Sequence, residues 1–252
     1  MLVNISPEET KSALARSYLQ SPVENSDNAY LVNTGQKLVL IDAGSGKLLG
    51  PLRGQLRANL IAAGYRPEQV DEIYLTHLHP DHVGGLADGD TMAFPNAIVR
   101  VDKKDADYWL SKENMDKAPE QSKRFFVGAM ASLDPYIKAG RVKLFQGNTD
   151  LVHGVSAVAS PGHTPGHSFF VAESKGQKIV FWGDLIHVLA VQFNAPSVGI
   201  AFDSDVGGAA SQRLVALSLT PRRAATSSPE RIFPSRERAV CARLAVPSSG
   251  SL

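Results

Sequence analysis

Apolar positions along this chain recur with two different periods, and the switches between them predict a fold that mixes helices with strands. Ser6-Pro7-Glu8-Glu9 reads as a helix start. Ser6 can cap, Pro7 fits the first helical position, and Glu9 stands where a capping box places its carboxylate. That helix is expected to run to about Leu19. Residues 28–34 and 37–42 are apolar-rich runs joined at Gly35-Gln36, which predicts a hairpin. Residues 52–63 have amphipathic spacing and stop at Gly64; Pro67-Glu68-Gln69 then opens a turn before a buried strand over 70–75. Residues 98–101 read as a strand, with Asp102 capping a helix through Leu110. Within 119–138, Phe125, Phe126, Met130, Leu133 and Tyr136 fall at near-helical spacing, a stripe that fits core or lid packing first and a substrate-pocket wall second. Strands follow at 142–145 and 155–159, and residues 168–173 and 177–182 make a hairpin around Lys175-Gly176.

The chemistry is concentrated where the strand over 70–75 ends. Thr76-His77-Leu78-His79-Pro80-Asp81-His82 places three His and one Asp within six positions. Alternation lets His77 and His79 point the same way along an extended segment, and Asp81 and His82 then turn the chain and present further donors. Imidazole nitrogen with carboxylate oxygen is the donor set that suits zinc and its first-row neighbours, and the number of donors suggests two cations. A solvent-facing polar loop is the competing reading, and it does not account for this density of ligands.

Composition narrows the class. A single Cys excludes an internal disulfide and a thiolate zinc site, leaving His and Asp as the metal chemistry. The net charge of +1 gives no reason to expect nucleic acid or an anionic membrane as a partner and leaves a small-molecule substrate open. No apolar run reaches the roughly 20 residues needed to span a bilayer, and the start lacks a signal-peptide layout. As written the chain is expected to be cytoplasmic, with an export signal upstream of Met1 left open. Asp42-Ala43-Gly44-Ser45-Gly46 follows a strand but has neither the Lys-Ser/Thr of a phosphate loop nor dinucleotide glycine spacing.

With Ser160-Pro161-Gly162-His163-Thr164-Pro165-Gly166-His167 and Trp182-Gly183-Asp184, the His-rich stretch resembles the metallo-β-lactamase-fold hydrolases. Within them the chain is most similar to the branch containing methyl parathion hydrolase and related lactonases. The resemblance runs from about Ile5 to about Leu217. It implies an α/β fold of four αββα layers and a first cation on His77, His79 and His163. A second cation would lie on Asp81 and His82, with Asp184 bridging, and Asp81 and Asp184 are the catalytic candidates. Asp42 is expected to hold loop geometry from behind the ligands, and His167 to be structural. His187 reads as a hydrogen-bonded wall residue and His153 as surface. The implied reaction is attack by a metal-bound hydroxide on a lactone, ester, amide or organophosphate triester. Zn2+ is the expected cofactor, with Mn2+, Co2+ or Fe2+ as alternatives, and the family's habit of dimerising carries a homodimer over as an expectation. Two readings stay open beside it: a mono-iron thiol dioxygenase on the same fold, and a non-enzymatic metal-binding remnant.

Both ends depart from the family pattern. One or two strands usually precede the first helix, so the sheet is expected to lack an edge, and the domain is placed at residues 1–217. Residues 218–252 are Arg/Ser/Pro-rich, with six Arg, no Lys and two Glu; this tail carries +4 and leaves the remaining 20 basic and 23 acidic residues at −3. It is expected to be disordered. The family's second cation normally takes another His after a helix that here spans about 204–217, yet no His follows His187. A reading-frame shift near Ser218 accounts for both features. Permitted codons for the tail, read in the shifted frame, spell a family-like closing strand, with the absent His across Arg231 and Ile232. The expectation for the chain as written is one tightly held cation, a weak or absent second, and impaired hydrolysis.

Overall fold

The computed structural model describes residues 1–50, 54–219 and 242–243. The proposed shifted-frame peptide in the tail lies outside the described residues, as do Arg231 and Ile232.

A short strand β1 (Leu2–Val3) leads into α1 (Pro7–Ala15), where Ser6 and Glu9 form the expected reciprocal cap. The helix stops four residues before Leu19, because Tyr18 turns to a left-handed φ of 58°. The hairpin β2 (Tyr30–Asn33) and β3 (Leu38–Ile41) follows, then α2 (Leu56–Ala62) and β4 (Glu72–Tyr74). The His-rich stretch contains a one-turn helix α3 (Pro80–Val83) and precedes a small hairpin, β5 (Ala87–Asp88) and β6 (Thr91–Met92). Next come β7 (Ile98–Asp102), α4 (Lys103–Trp109), α5 (Lys112–Lys117), α6 (Glu120–Lys138) and β8 (Val142–Phe145). Strands β9 (Thr149–Val152), β10 (Val155–Ala159), β11 (Ser168–Ser174) and β12 (Gln177–Phe181) complete a meander. The chain continues through α7 (Leu189–Gln192), β13 (Gly199–Ile200), α8 (Val206–Leu219) and β14 (Ala242–Arg243).

Two sheets carry the architecture. One has the order β14-β2-β3-β4-β7-β8, with β3, β4, β7 and β8 parallel; the other is antiparallel, in the order β12-β11-β10-β9. The alternation in β3 shows why they stack: Leu38 and Leu40 face a core shared with α2, α4 and α6, while Val39 and Ile41 face the second sheet. Ile73 and Tyr74 divide between the same two cores, and Phe170 of β11 meets Tyr74 across the inter-sheet layer at 5.5 Å. On the outer side of the second sheet, Phe169 packs with Leu185 and with Ala216 of α8. Helix, sheet, sheet and helix therefore make the four layers expected. β1 joins neither large sheet and pairs instead with β13. Among the described residues no helix is long and apolar enough to cross a membrane.

The α6 stripe divides. Phe126, Leu133 and Tyr136 are core, whereas Phe125 is half-buried and its ring lies 5.1 Å from that of His79.

Candidate metal centre

Parallel strands end together, and the segments leaving their carboxyl ends gather on one rim of the sheet. His77 and His79 leave β4 there. The loop between β10 and β11 brings His163, and the turn after β12 brings Asp184. Two glycines make these approaches possible. Gly183 (φ +53°) lies so close to Thr76 that a Cβ would meet its side chain at 2.8 Å, and a Cβ on Gly162 (φ +139°) would strike the backbone of Ala209 at 2.1 Å.

All six predicted ligands converge. Donor atoms of His77, His79, His163 and Asp184 lie within 4.8 Å of one another, as do those of Asp81, His82 and Asp184. Asp184 belongs to both groups and its two oxygens divide between them. Oδ1 is 3.0 Å from His82 Nε2, and Oδ2 is 3.3 Å from His163 Nε2 and 3.8 Å from His77 Nε2. Asp81 is the outlying member, 3.6 Å from His82 Nε2 and partly exposed.

Groups behind the cluster fix which nitrogen of His82, His163 and His77 faces inward. His82 Nδ1–H donates to Asp42 Oδ2 at 2.8 Å, and His163 Nδ1–H to Asp203 Oδ1 at 2.9 Å, so both turn Nε2 inward. The Thr76 hydroxyl donates to Asp42 at 2.9 Å and can accept from His77 Nδ1–H at 3.0 Å, which frees His77 Nε2 likewise. That Nε2 is buried and has no hydrogen-bond partner. His79 Nδ1 faces His163 Nε2 at 3.1 Å, two ring nitrogens in need of something positive between them. Orphaned and opposed nitrogens of this kind suit a divalent cation, so the residues present fit the metal that the donor set implies.

The electrostatics point the same way. Burial, and then the charge on His82, push His77 well below the usual histidine range; burial and His163 do the same to His79. Burial also opposes a charge on His82, but Asp184, Asp42 and Asp81 outweigh it and hold its pKa well above the ordinary value. At His163 burial is outweighed by hydrogen bonds to Asp184 and Asp203, which raise it to about 9. Burial works against a charged Asp184, yet His82 and His187 keep its carboxyl well below the usual range. The carboxylates that retain protons on two imidazoles would attract a cation in the same way.

Asp42 occupies the role expected of it, in a left-handed backbone conformation with φ +58°, and also accepts the Thr76 N–H at 2.8 Å. His167 stays out of both groups: it is hydrogen-bonded to Ser160 at 2.8 Å, and its Nε2 accepts the Asp184 backbone N–H at 3.2 Å. Burial and His163 lower it to about 3, which keeps it neutral. His187 belongs to neither group and donates from Nε2 to Asp184 Oδ2 at 3.1 Å; His153 is exposed.

Three contributors escaped the sequence reading. Asp105 is buried, and it accepts the Leu78 N–H at 3.0 Å and the Gly166 N–H at 2.6 Å, tying the His77/His79 segment to the His163 loop. Burial pushes its carboxyl up to about 6, opposed by the nearby Thr164 hydroxyl and those two N–H groups. In sequence it is only an acidic residue in a first helical turn, a common surface feature. Asp203 lies within the span of the family resemblance, but nothing local gave it a role. Arg213 interrupts an apolar helix segment, which was the one available signal.

Paired sheets between helices, with imidazole and carboxylate donors at the strand ends, define an αββα metal-binding class. A family model of the metallo-β-lactamase superfamily matches residues 23–231, and the chain belongs to that superfamily. Among solved structures it is similar to AbOPH, a hydrolase of the beta lactamase superfamily, with a TM-score of 0.80 and 36% identity over 85% of this chain and 76% of that one. It is also similar to AidC, a dizinc quorum-quenching lactonase in complex with a product, with a TM-score of 0.77 and 28% identity over the same shares. A curated relative, the acyl-coenzyme A thioesterase MBLAC2 of Gallus gallus, is 32% identical over 65% of this chain and 58% of its own length. The first curated relatives are matched over 59%, 38% and 36% of their lengths. The homologues and fold neighbours are hydrolases of this superfamily.

Proposed function

We propose that this chain is a metal-dependent hydrolase of small neutral molecules, acting on a lactone, carboxyl ester or organophosphate triester. In this reading His77, His79 and His163 hold one cation, Asp81 and His82 hold a second, and Asp184 bridges them. The division of the Asp184 oxygens between the two nitrogen groups is the observation that carries it. When bound, such cations supply an activated water as nucleophile and polarise the substrate oxygen. The residues themselves do the rest. Asp42 and Asp203 turn the Nε2 atoms of His82 and His163 inward, while His187 and His167 hold the Asp184 carboxylate and backbone in place. Trp109 and Phe125, with rings 5.0 and 5.1 Å from His79, and Phe202, 6.2 Å from Phe125, offer an apolar wall for the part of the substrate away from the scissile bond.

The two groups are unequal. The first has four donors and the second three, one of them shared, and affinity follows donor count. We therefore propose one tightly held cation, Zn2+ in the first instance, and a labile second, with hydrolysis weakened accordingly. We place the active unit at residues 1–217; the expectation of a separate, disordered tail over 218–252 does not hold at Ala242 and Arg243, which pair with Leu31 and Tyr30 at the edge of the larger sheet. Elemental analysis after dialysis tests the stoichiometry: one retained equivalent is expected, and two full equivalents contradict it. A panel of chromogenic lactones, esters and organophosphates with added zinc, cobalt or manganese tests the activity. Turnover that rises with a second equivalent supports the reading. Bound metal with no turnover on any substrate leaves a non-enzymatic shell, and iron with oxygen-dependent turnover would favour the dioxygenase.

A further inference from the structure

Among the described residues Arg213 is the largest side chain that is fully buried, and burying a guanidinium is costly unless its donors are all used. Here they radiate to three places. Nε donates to the Leu185 carbonyl at 2.8 Å, Nη1 to the Pro196 and Val198 carbonyls at 3.0 and 3.1 Å, and Nη2 lies 3.4 Å from Asp203 Oδ2. Leu185 directly follows Asp184. Asp203 is the carboxylate whose other oxygen orients His163. One cation on α8 thus grips the segment that carries the shared carboxylate and, through Asp203, the ring that faces it.

An apolar side chain would anchor α8 to the second sheet without the desolvation cost, as Ala216 does three residues on. What an apolar residue could not do is hold the backbone after Asp184 and the Asp203 carboxylate at a fixed separation. The planar fork of arginine serves several acceptors in set directions, which the point charge of lysine does not. Asp203 is completed by the Ile200 N–H at 3.0 Å, so the unit has no slack on either side.

We propose that Arg213 is a positioning residue of the metal centre, setting His163 and Asp184 at the separation a shared cation requires. The proposal rests on the reading of the site as a metal centre. The test uses R213K, R213M and D203N in the full chain, with far-UV circular dichroism confirming the fold of the metal-free proteins. Zinc affinity is read by chelator competition, and ligand geometry by the visible absorption of the cobalt-loaded protein. R213K keeps a positive charge beside Asp203 and is expected to fold, yet to bind zinc 10–100-fold more weakly and to show an altered cobalt spectrum. D203N, which keeps the shape of the carboxylate, is expected to do the same. Folded variants with zinc affinity within twofold of the parent and an unchanged spectrum overturn the proposal while leaving the metal reading intact. A parent that binds no zinc removes both. Failure of all three variants to fold would make Arg213 an ordinary structural residue and overturns the proposal as well.

Discussion

Replacing Asp42 separates what the backbone at that position needs from what the metal centre needs. Asp42 has φ +58°, accepts the Thr76 N–H at 2.8 Å and receives His82 Nδ1–H at 2.8 Å. Asn tolerates the left-handed region, and its carbonyl can keep the Thr76 bond. Its amide would then face His82 Nδ1 with a donor, which moves the ring proton to Nε2 and blocks the nitrogen that faces Asp81 and Asp184. Loss of such an orienting partner costs about 10–100-fold in metal affinity, or about 1.4–2.7 kcal/mol. D42N should therefore fold with little loss of stability and lose cation affinity chiefly at the Asp81/His82 group. D42A loses the same orientation, pays about 1 kcal/mol more for an alanine in the left-handed region, and leaves the buried Thr76 N–H without an acceptor at about 1–3 kcal/mol. Urea denaturation of the metal-free proteins and chelator competition for zinc measure the two effects separately. Equal stability of D42A and D42N, or unchanged zinc affinity in D42N, would refute the reasoning.

Three further expectations follow from the same geometry. His163, raised to about 9, must shed a proton before Nε2 can hold a cation. Zinc affinity should therefore climb about tenfold per pH unit from 6.5 towards 9, whereas the stabilisation this histidine lends the metal-free fold, full below pH 6.5, is lost as pH rises through 9. Chelator competition across that range checks it, and a flat profile contradicts it. Removing the half-buried Phe125 ring should raise KM roughly tenfold, about 1.4 kcal/mol, for substrates with an aryl or acyl substituent and leave kcat nearly unchanged; steady-state kinetics that put the loss in kcat would argue against a wall at that position. D105A strands the Leu78 and Gly166 N–H groups and should cost about 2–4 kcal/mol in urea denaturation together with a loss of zinc affinity, and a midpoint equal to that of the parent rules out the clamp.

Much of the fold was legible along the chain because the signals were local. The Ser6/Glu9 cap, the Gly35-Gln36 hairpin, the strand before His77 and the helix after Asp102 depend on neighbours within a few positions, and each formed at or near its expected place. The elements missed were short ones without a period to read, such as β1, β9, β13 and α5. The boundary misses at α1 and α2 are helix ends.

By itself the sequence determined the donors. His77, His79, Asp81 and His82 share one strand end, where spacing alone makes a ligand cluster plausible, and the family likeness added His163 and Asp184. Only the tertiary structure decided how those donors are held. The inward nitrogen of His82, His77 and His163 is set by Asp42, Thr76 and Asp203, the two ligand segments are joined by Asp105, and the Asp184 turn is held by Arg213. These partners lie between 27 and 61 positions from the groups they act on, apart from Thr76 beside His77. No periodicity extends so far; a hydrogen bond depends on distance in space, and only folding brings such residues within 3 Å.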